Sequence, residues 1–187
     1  MGGGIMAVVI NGTTGIDTVQ DGIITDAKLA STLDISGKTV TYGLTNTDMP
    51  SGSVIQVVRD INTSEHSTTS SSAVATNFSV SITPSSTSSR VYLSFAAPLR
   101  INDAGQTDGA ATVYLYKNGS QLAVLNIAFG TQSYGAHRHF AAVYVDSPAT
   151  TSATTYAIYY DNRNGFANSI IWCDSGAAGT LTAMEIA

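Results

Sequence analysis

From Ser53 onward, short apolar stretches recur between turn residues, and none of them carries a helical period. Phe78-Ser79-Val80-Ser81-Ile82 alternates strictly, which puts its apolar side chains on one face of a strand. Val54-Ile55-Gln56-Val57-Val58 is a short β-branched run, and Val91–Phe95, Val113–Tyr116, Leu122–Phe129, Phe140–Val145, Thr155–Tyr160, Ser169–Trp172 and Thr180–Ile186 read as further strands. Between two of them, Lys117-Asn118-Gly119-Ser120 predicts a hairpin, because Asn-Gly supplies the positive φ of a type I′ turn. Residues 62–72 are rich in Ser and Thr and read as a loop. Many short strands with turn signals between them predict an all-β fold, a β-sandwich or jelly roll.

Residues 1–52 follow another pattern. Short apolar pieces (Ile5 to Ile10, Ile23-Ile24) are cut by Asn11-Gly12, Thr14-Gly15, Asp21-Gly22 and Ser36-Gly37. Thr25–Ala30 has the makings of a capped turn or two of helix, too short to stand alone. No period here buries a core. The expectation is an extended N-terminal arm at 1–52 that packs on sister chains or on a neighbouring protein, followed by a sandwich at 53–187.

Composition narrows the function. Charged residues make up 11% of the chain and apolar residues 43%, which is too apolar for a disordered chain. The net charge is −5 and no basic run occurs, so neither a nucleic-acid footprint nor a polybasic membrane patch is present. The apolar runs are far shorter than a membrane span, so no membrane insertion is expected. Met1-Gly2-Gly3-Gly4 has no charged segment leading into an apolar run, and no secretion signal is read there. The lone Cys173 rules out an internal disulfide.

Several pieces resemble phage tail-fibre and virion surface proteins. They are Ile82-Thr83-Pro84-Ser85-Ser86-Thr87-Ser88-Ser89-Arg90-Val91, Leu115-Tyr116-Lys117-Asn118-Gly119, Asp146-Ser147-Pro148-Ala149-Thr150 with Thr154-Thr155-Tyr156, and Leu181-Thr182-Ala183-Met184-Glu185-Ile186. They occur in the order found in that family. Asp21-Gly22-Ile23-Ile24-Thr25-Asp26-Ala27-Lys28-Leu29-Ala30 is similar to the connecting segments of phage fibres. The resemblance implies a homotrimer on the particle surface, built on a jelly roll of the tumour-necrosis-factor-like kind. It also implies synthesis in the host cytoplasm and residence on the virion.

Two clusters stand out as candidate sites. In a strand, His137 and His139 share a face. Three copies could bring them together around one axial metal, as in the His-x-His elements of some fibre tips. The competing reading is a loop at Gly135-Ala136-His137 with exposed or hydrogen-bonded imidazoles. The second cluster is the polar loop from Asp161 to Phe166, beside Tyr159, Tyr160 and Trp172. It offers the aromatic faces and planar donors of a sugar-contacting surface, with Tyr134, Tyr160, Asn162, Arg163, Asn164 and Phe166 as candidate ligand-binding residues. Against it stands a plain turn, since Asn, Asp and Gly are turn residues first.

Catalysis finds no support, so the chain is expected not to be an enzyme and to need no cofactor. There is no Gly-x-Ser-x-Gly elbow. Cys173 beside Trp172 reads as a small buried hydrophobe. The glutamates are Glu65 and Glu185, and most aspartates sit in turns, though Asp103, Asp108, Asp161 and Asp174 could pair in space. Asp103–Asp108 lacks the ligand density of a calcium loop. The sequence therefore points to a homotrimeric surface fibre of a phage particle. Residues 1–52 would contact other virion proteins, and the sandwich would face outward to a host glycan or surface protein. The rival is a capsid or tail decoration that reinforces the particle and binds no receptor.

Overall fold

The computed structural model describes residues 49–102, 109–129, 136–163 and 169–187, without the side chains of 126–129 and 136–137. Almost all of the expected arm, including the turn at Thr25–Ala30, lies outside the described residues. Ten strands follow in chain order: β1 (Val54–Asn62), β2 (His66–Thr68), β3 (Val74–Ile82), β4 (Arg90–Asn102), β5 (Ala110–Lys117), β6 (Ser120–Phe129), β7 (Ala136–Asp146), β8 (Thr154–Asn162), β9 (Ser169–Trp172) and β10 (Gly179–Ile186). Among the described residues the helical structure is one 3-10 turn, Asp174–Gly176.

One sheet holds β1, β10, β4, β9 and β2, with β7 also pairing β4, and the other runs β3-β8-β5-β6. The register simplifies the first sheet. On β4, residues 91–96 pair with both β10 and β7, and residues 99–101 pair with both β9 and β7. β9 and β10 therefore lie end to end on one side of β4, as a single strand interrupted by the excursion through the 3-10 turn. β2 pairs β9 and β1 pairs β10, so these two also form one interrupted edge strand. The result is two four-stranded antiparallel sheets in jelly-roll order, and the expected all-β sandwich is the observed fold.

Alternation explains the layering. β4 buries Val91, Leu93, Phe95, Ala97, Leu99 and Ile101 and turns the residues between them outward. β5 and β8 meet them from the other sheet with Val113, Leu115, Tyr156, Ile158 and Tyr160. At the centre, Phe95 packs edge-on against Phe78 and Trp172, and Trp172 meets Phe140 and Tyr160 edge-on as well. Gly179 opens β10 where this cluster leaves no room. A Cβ there would lie 2.5 Å from Phe78 Cζ and 2.6 Å from Ala97 Cβ.

The predicted hairpin at Asn118-Gly119 forms with φ of 49° and 80°, as Asn-Gly requires. Two readings change. Residues 62–72 are not all loop, because His66–Thr68 adds a short strand to β9. Three residues with no apolar member give no periodic signal, and the pairing comes from β9. Ala136 and His137 belong to β7, so the histidine pair lies on a strand and not in a loop.

The sandwich has two unlike ends. At one, the chain enters at Pro50 and finishes at Ala187: Gly52 N donates to Ala187 O (2.9 Å) and Ala187 N to Ser53 O (3.0 Å). Here Glu185, fully buried, accepts from Gln56 Nε2 (2.6 Å), Ser85 N (2.7 Å), Ser85 Oγ (2.5 Å) and Ser89 Oγ (2.7 Å). Burial pushes its pKa up, but these donors outweigh it and hold the carboxyl below its ordinary value. Nearby, Asp146 accepts from Lys117 Nζ (2.8 Å) and Tyr156 OH (2.6 Å). At the other end β4, β6 and β8 finish and β5, β7 and β9 begin. There Asn162 N donates to Ser70 O (2.7 Å) and Arg163 N to Ala110 O (2.9 Å).

Candidate functional site

β8 carries two of the expected ligand-binding residues, Tyr160 and Asn162, to this loop end, and Arg163 follows it. Tyr160 belongs to the core and is fully buried against Trp172. Its hydroxyl lies 3.1 Å from His66 O and 2.8 Å from His66 Nδ1, so in donating to the carbonyl it receives the ring N–H. Burial lowers the pKa of His66 and raises that of Tyr160, which keeps both groups neutral. Asn162 is 1% exposed. The Tyr160 and Asn162 side chains are both buried in the sandwich. Strict alternation would have exposed one of any two neighbours, yet Tyr160, Asp161 and Asn162 are all buried where the strand runs under the loop end. Arg163 is exposed, as a surface contact requires. Tyr134, Asn164 and Phe166 lie outside the described residues.

Tyr159, one residue back, points outward and meets partners that sequence reasoning missed. It pairs with Tyr114 across β5 and stacks on Tyr116, with ring centroids 3.8 Å apart and planes 16° from parallel. Tyr114 OH donates to Asp161 Oδ2 (2.6 Å), and Thr112 N donates to Asp161 Oδ1 (3.1 Å). Burial first, and then this bond to Asp161, raises the pKa of Tyr114. The outer face of the second sheet thus carries three half-buried tyrosines leading up to Arg163, with the buried Asp161 carboxylate fixing one of them from beneath. Rings and a guanidinium make a surface suited to polar, hydroxyl-rich ligands. The alternation Tyr114-Leu115-Tyr116 was the signal for it, because it places two tyrosines on one face.

His139 is exposed on β7 opposite Pro98, and the backbone of His137 pairs with Arg100. Among the described residues, no group of three His, Cys, Asp or Glu side chains could hold a metal ion. An axial metal would need ligands from several copies. Cys173 is buried, its Sγ lies 3.3 Å from Asn62 O, and burial raises its pKa, which suits a packed thiol and not a nucleophile. Asp161 and Asp174 do not face a common centre: Asp161 holds Tyr114, whereas Asp174 lies 3.5 Å from Arg100 Nη1.

No protein-family profile matches the chain, and no curated protein does. Among solved structures, the Gt strain of infectious bursal disease virus aligns at TM-score 0.39 and 16% identity, over 84% of this chain and 40% of that one. The Gx strain aligns at TM-score 0.37 and 16% identity, over 79% and 36%. The VP2 subviral particle of the same virus aligns at 0.37 and 13%, over 85% and 41%. The chain spans about two-fifths of these proteins' length.

Proposed function

We propose that this chain is a non-enzymatic structural protein of a phage particle, a homotrimeric surface fibre. Residues 1–52 attach it to other virion proteins, and the sandwich at 53–187 faces outward and contacts the host surface. The observation that carries this reading is the polarity of the sandwich. The chain enters at one end, where a hydrogen-bonded carboxylate and the pairing of Gly52 with Ala187 fix it. Arg163 lies at the opposite end, and the tyrosine face runs toward it. A protein anchored by its N-terminal segment presents that far end to whatever it meets.

The test uses particles. Removing residues 1–52 is expected to yield a folded sandwich that no longer joins the particle, and normal incorporation would refute the anchoring role. Replacing Arg163 with Ala and Tyr116 with Ser is expected to slow adsorption to host cells. Unchanged adsorption by particles that lack the chain altogether would favour a decoration that reinforces the particle without a receptor.

A further inference from the structure

Among the described residues, the most solvent-open large apolar side chains of the first sheet are Val54 (49%), Val57 (55%), Ile61 (51%), Val143 (63%) and Val145 (51%). They share its outer face. The register sets Val57, Met184, Tyr92 and Val145 in one row across β1, β10, β4 and β7. The next outward row is Arg59, Thr182, Ser94 and Val143, followed by Ile61, Thr180, Ala96 and Ala141. The outer face of the second sheet differs, with Asn77, Ser79, Ser81, Gln121 and Thr155 among its exposed residues.

Size and charge say what covers the apolar face. Four strands about 4.8 Å apart and eight residues at about 3.3 Å each give roughly 500 Å² in plan. That lies within the range of the largest patch on a typical monomer, about 300–600 Å². It is close to the apolar part of a standard homo-oligomer interface, about two-thirds of roughly 800 Å² per partner. The carboxylates nearby turn inward: Glu185 and Asp146 are buried, and Asp60 accepts from Ser79 N. From Val54 to Ile61 the charged side chains on this face are Arg59 and Arg90, and arginine is the charged residue that interfaces tolerate best. Exposed aliphatic side chains without neighbouring carboxylates suit another protein surface, and they do not suit a glycan.

We infer that this face is where a second copy of the chain packs, so that the outer surface of β1, β10, β4 and β7 forms the contact between copies. The inference rests on the homotrimer proposed above and locates its interface. It also divides the two outer faces, one for assembly and the other for ligand contact.

The test is sedimentation equilibrium of the full chain with Val143→Asp and Val145→Asp together. Both positions are more than half exposed, so the isolated fold tolerates them. The expected result is a trimer that becomes a monomer, with half-dissociation at a concentration at least ~100-fold higher. The isosteric Val145→Thr, which spares the fold, is expected to raise it by ~10-fold. Val124→Asp on the second sheet serves as the control and should leave the trimer intact. A wild-type trimer unmoved by the paired aspartates would overturn the interface but leave the homotrimer standing. A wild-type monomer would overturn both. Variants that stay trimeric yet fail to join particles would assign the face to another virion protein and overturn the inference.

Discussion

The two ends of the sandwich are held by different means. Where the chain enters, side chains from distant parts of the sequence converge on Glu185 and Asp146. At the loop end, backbone bonds, the Tyr160–His66 contact and a long Arg100–Asp174 pair do the work. A buried carboxylate is worth keeping only if its donors are complete, because each unmatched partner costs far more than a matched one returns. The first end is therefore built to be rigid. The loop end has a buried carboxylate too, Asp161, but it is held by two donors where Glu185 has four.

Breaking the rigid end should have the largest effect. Glu185→Ala strands the backbone N–H of Ser85 and three side-chain donors, and is expected to cost about 3 kcal/mol in urea unfolding. A loss below about 1 kcal/mol would dissolve the contrast between the ends. Tyr156→Phe removes one donor to Asp146 and should cost about 2 kcal/mol in the same assay, with Lys117 still in place.

Acid should sharpen the comparison. The pKa of Glu185 is held below its unfolded value, so its contribution is present above that unfolded value and disappears as pH falls through the lower folded one. The stability gap between wild type and Glu185→Gln should thus narrow in acid, and a gap that widens would reverse the sign of the shift. Alkali acts on both ends. The hydroxyls of Tyr156 and Tyr160 are raised well above the ordinary tyrosine value, by burial and, for Tyr156, also by Asp146. Their stabilisation is intact below about pH 10 and is lost as pH rises further. The smallest effect belongs to the loop end. Asp174→Asn is expected to change stability by under about 1 kcal/mol, since the pair is long and partly exposed.

The strands were legible wherever one face is buried and the other is not. Phe78 to Ile82 and Val91 to Phe95 announce themselves by alternation, and Asn118-Gly119 announces its turn. β2 was not legible, because its register is imposed by β9 and not by its own side chains. Glu185 gave no local hint of burial, since its partners are 100 and 129 positions away along the chain. At the candidate site, burial was not legible: Tyr160 and Asn162 flank a polar loop, yet both are buried. The outward tyrosines of β5 were overlooked because the strand that supplies them lies some forty residues from Tyr159.

The hydrogen-bonded meeting of Gly52 and Ala187 has a mechanical consequence. β1 and β10 are adjacent and antiparallel, and β1 begins where β10 ends. A force that pulls those two ends apart opens the pair like a zip, one bond at a time. A force applied between Pro50 and the loop end runs along β1 instead and loads its bonds to β10 together. Tethered at Pro50 and tugged at the far tip, the sandwich meets tension in its stronger direction.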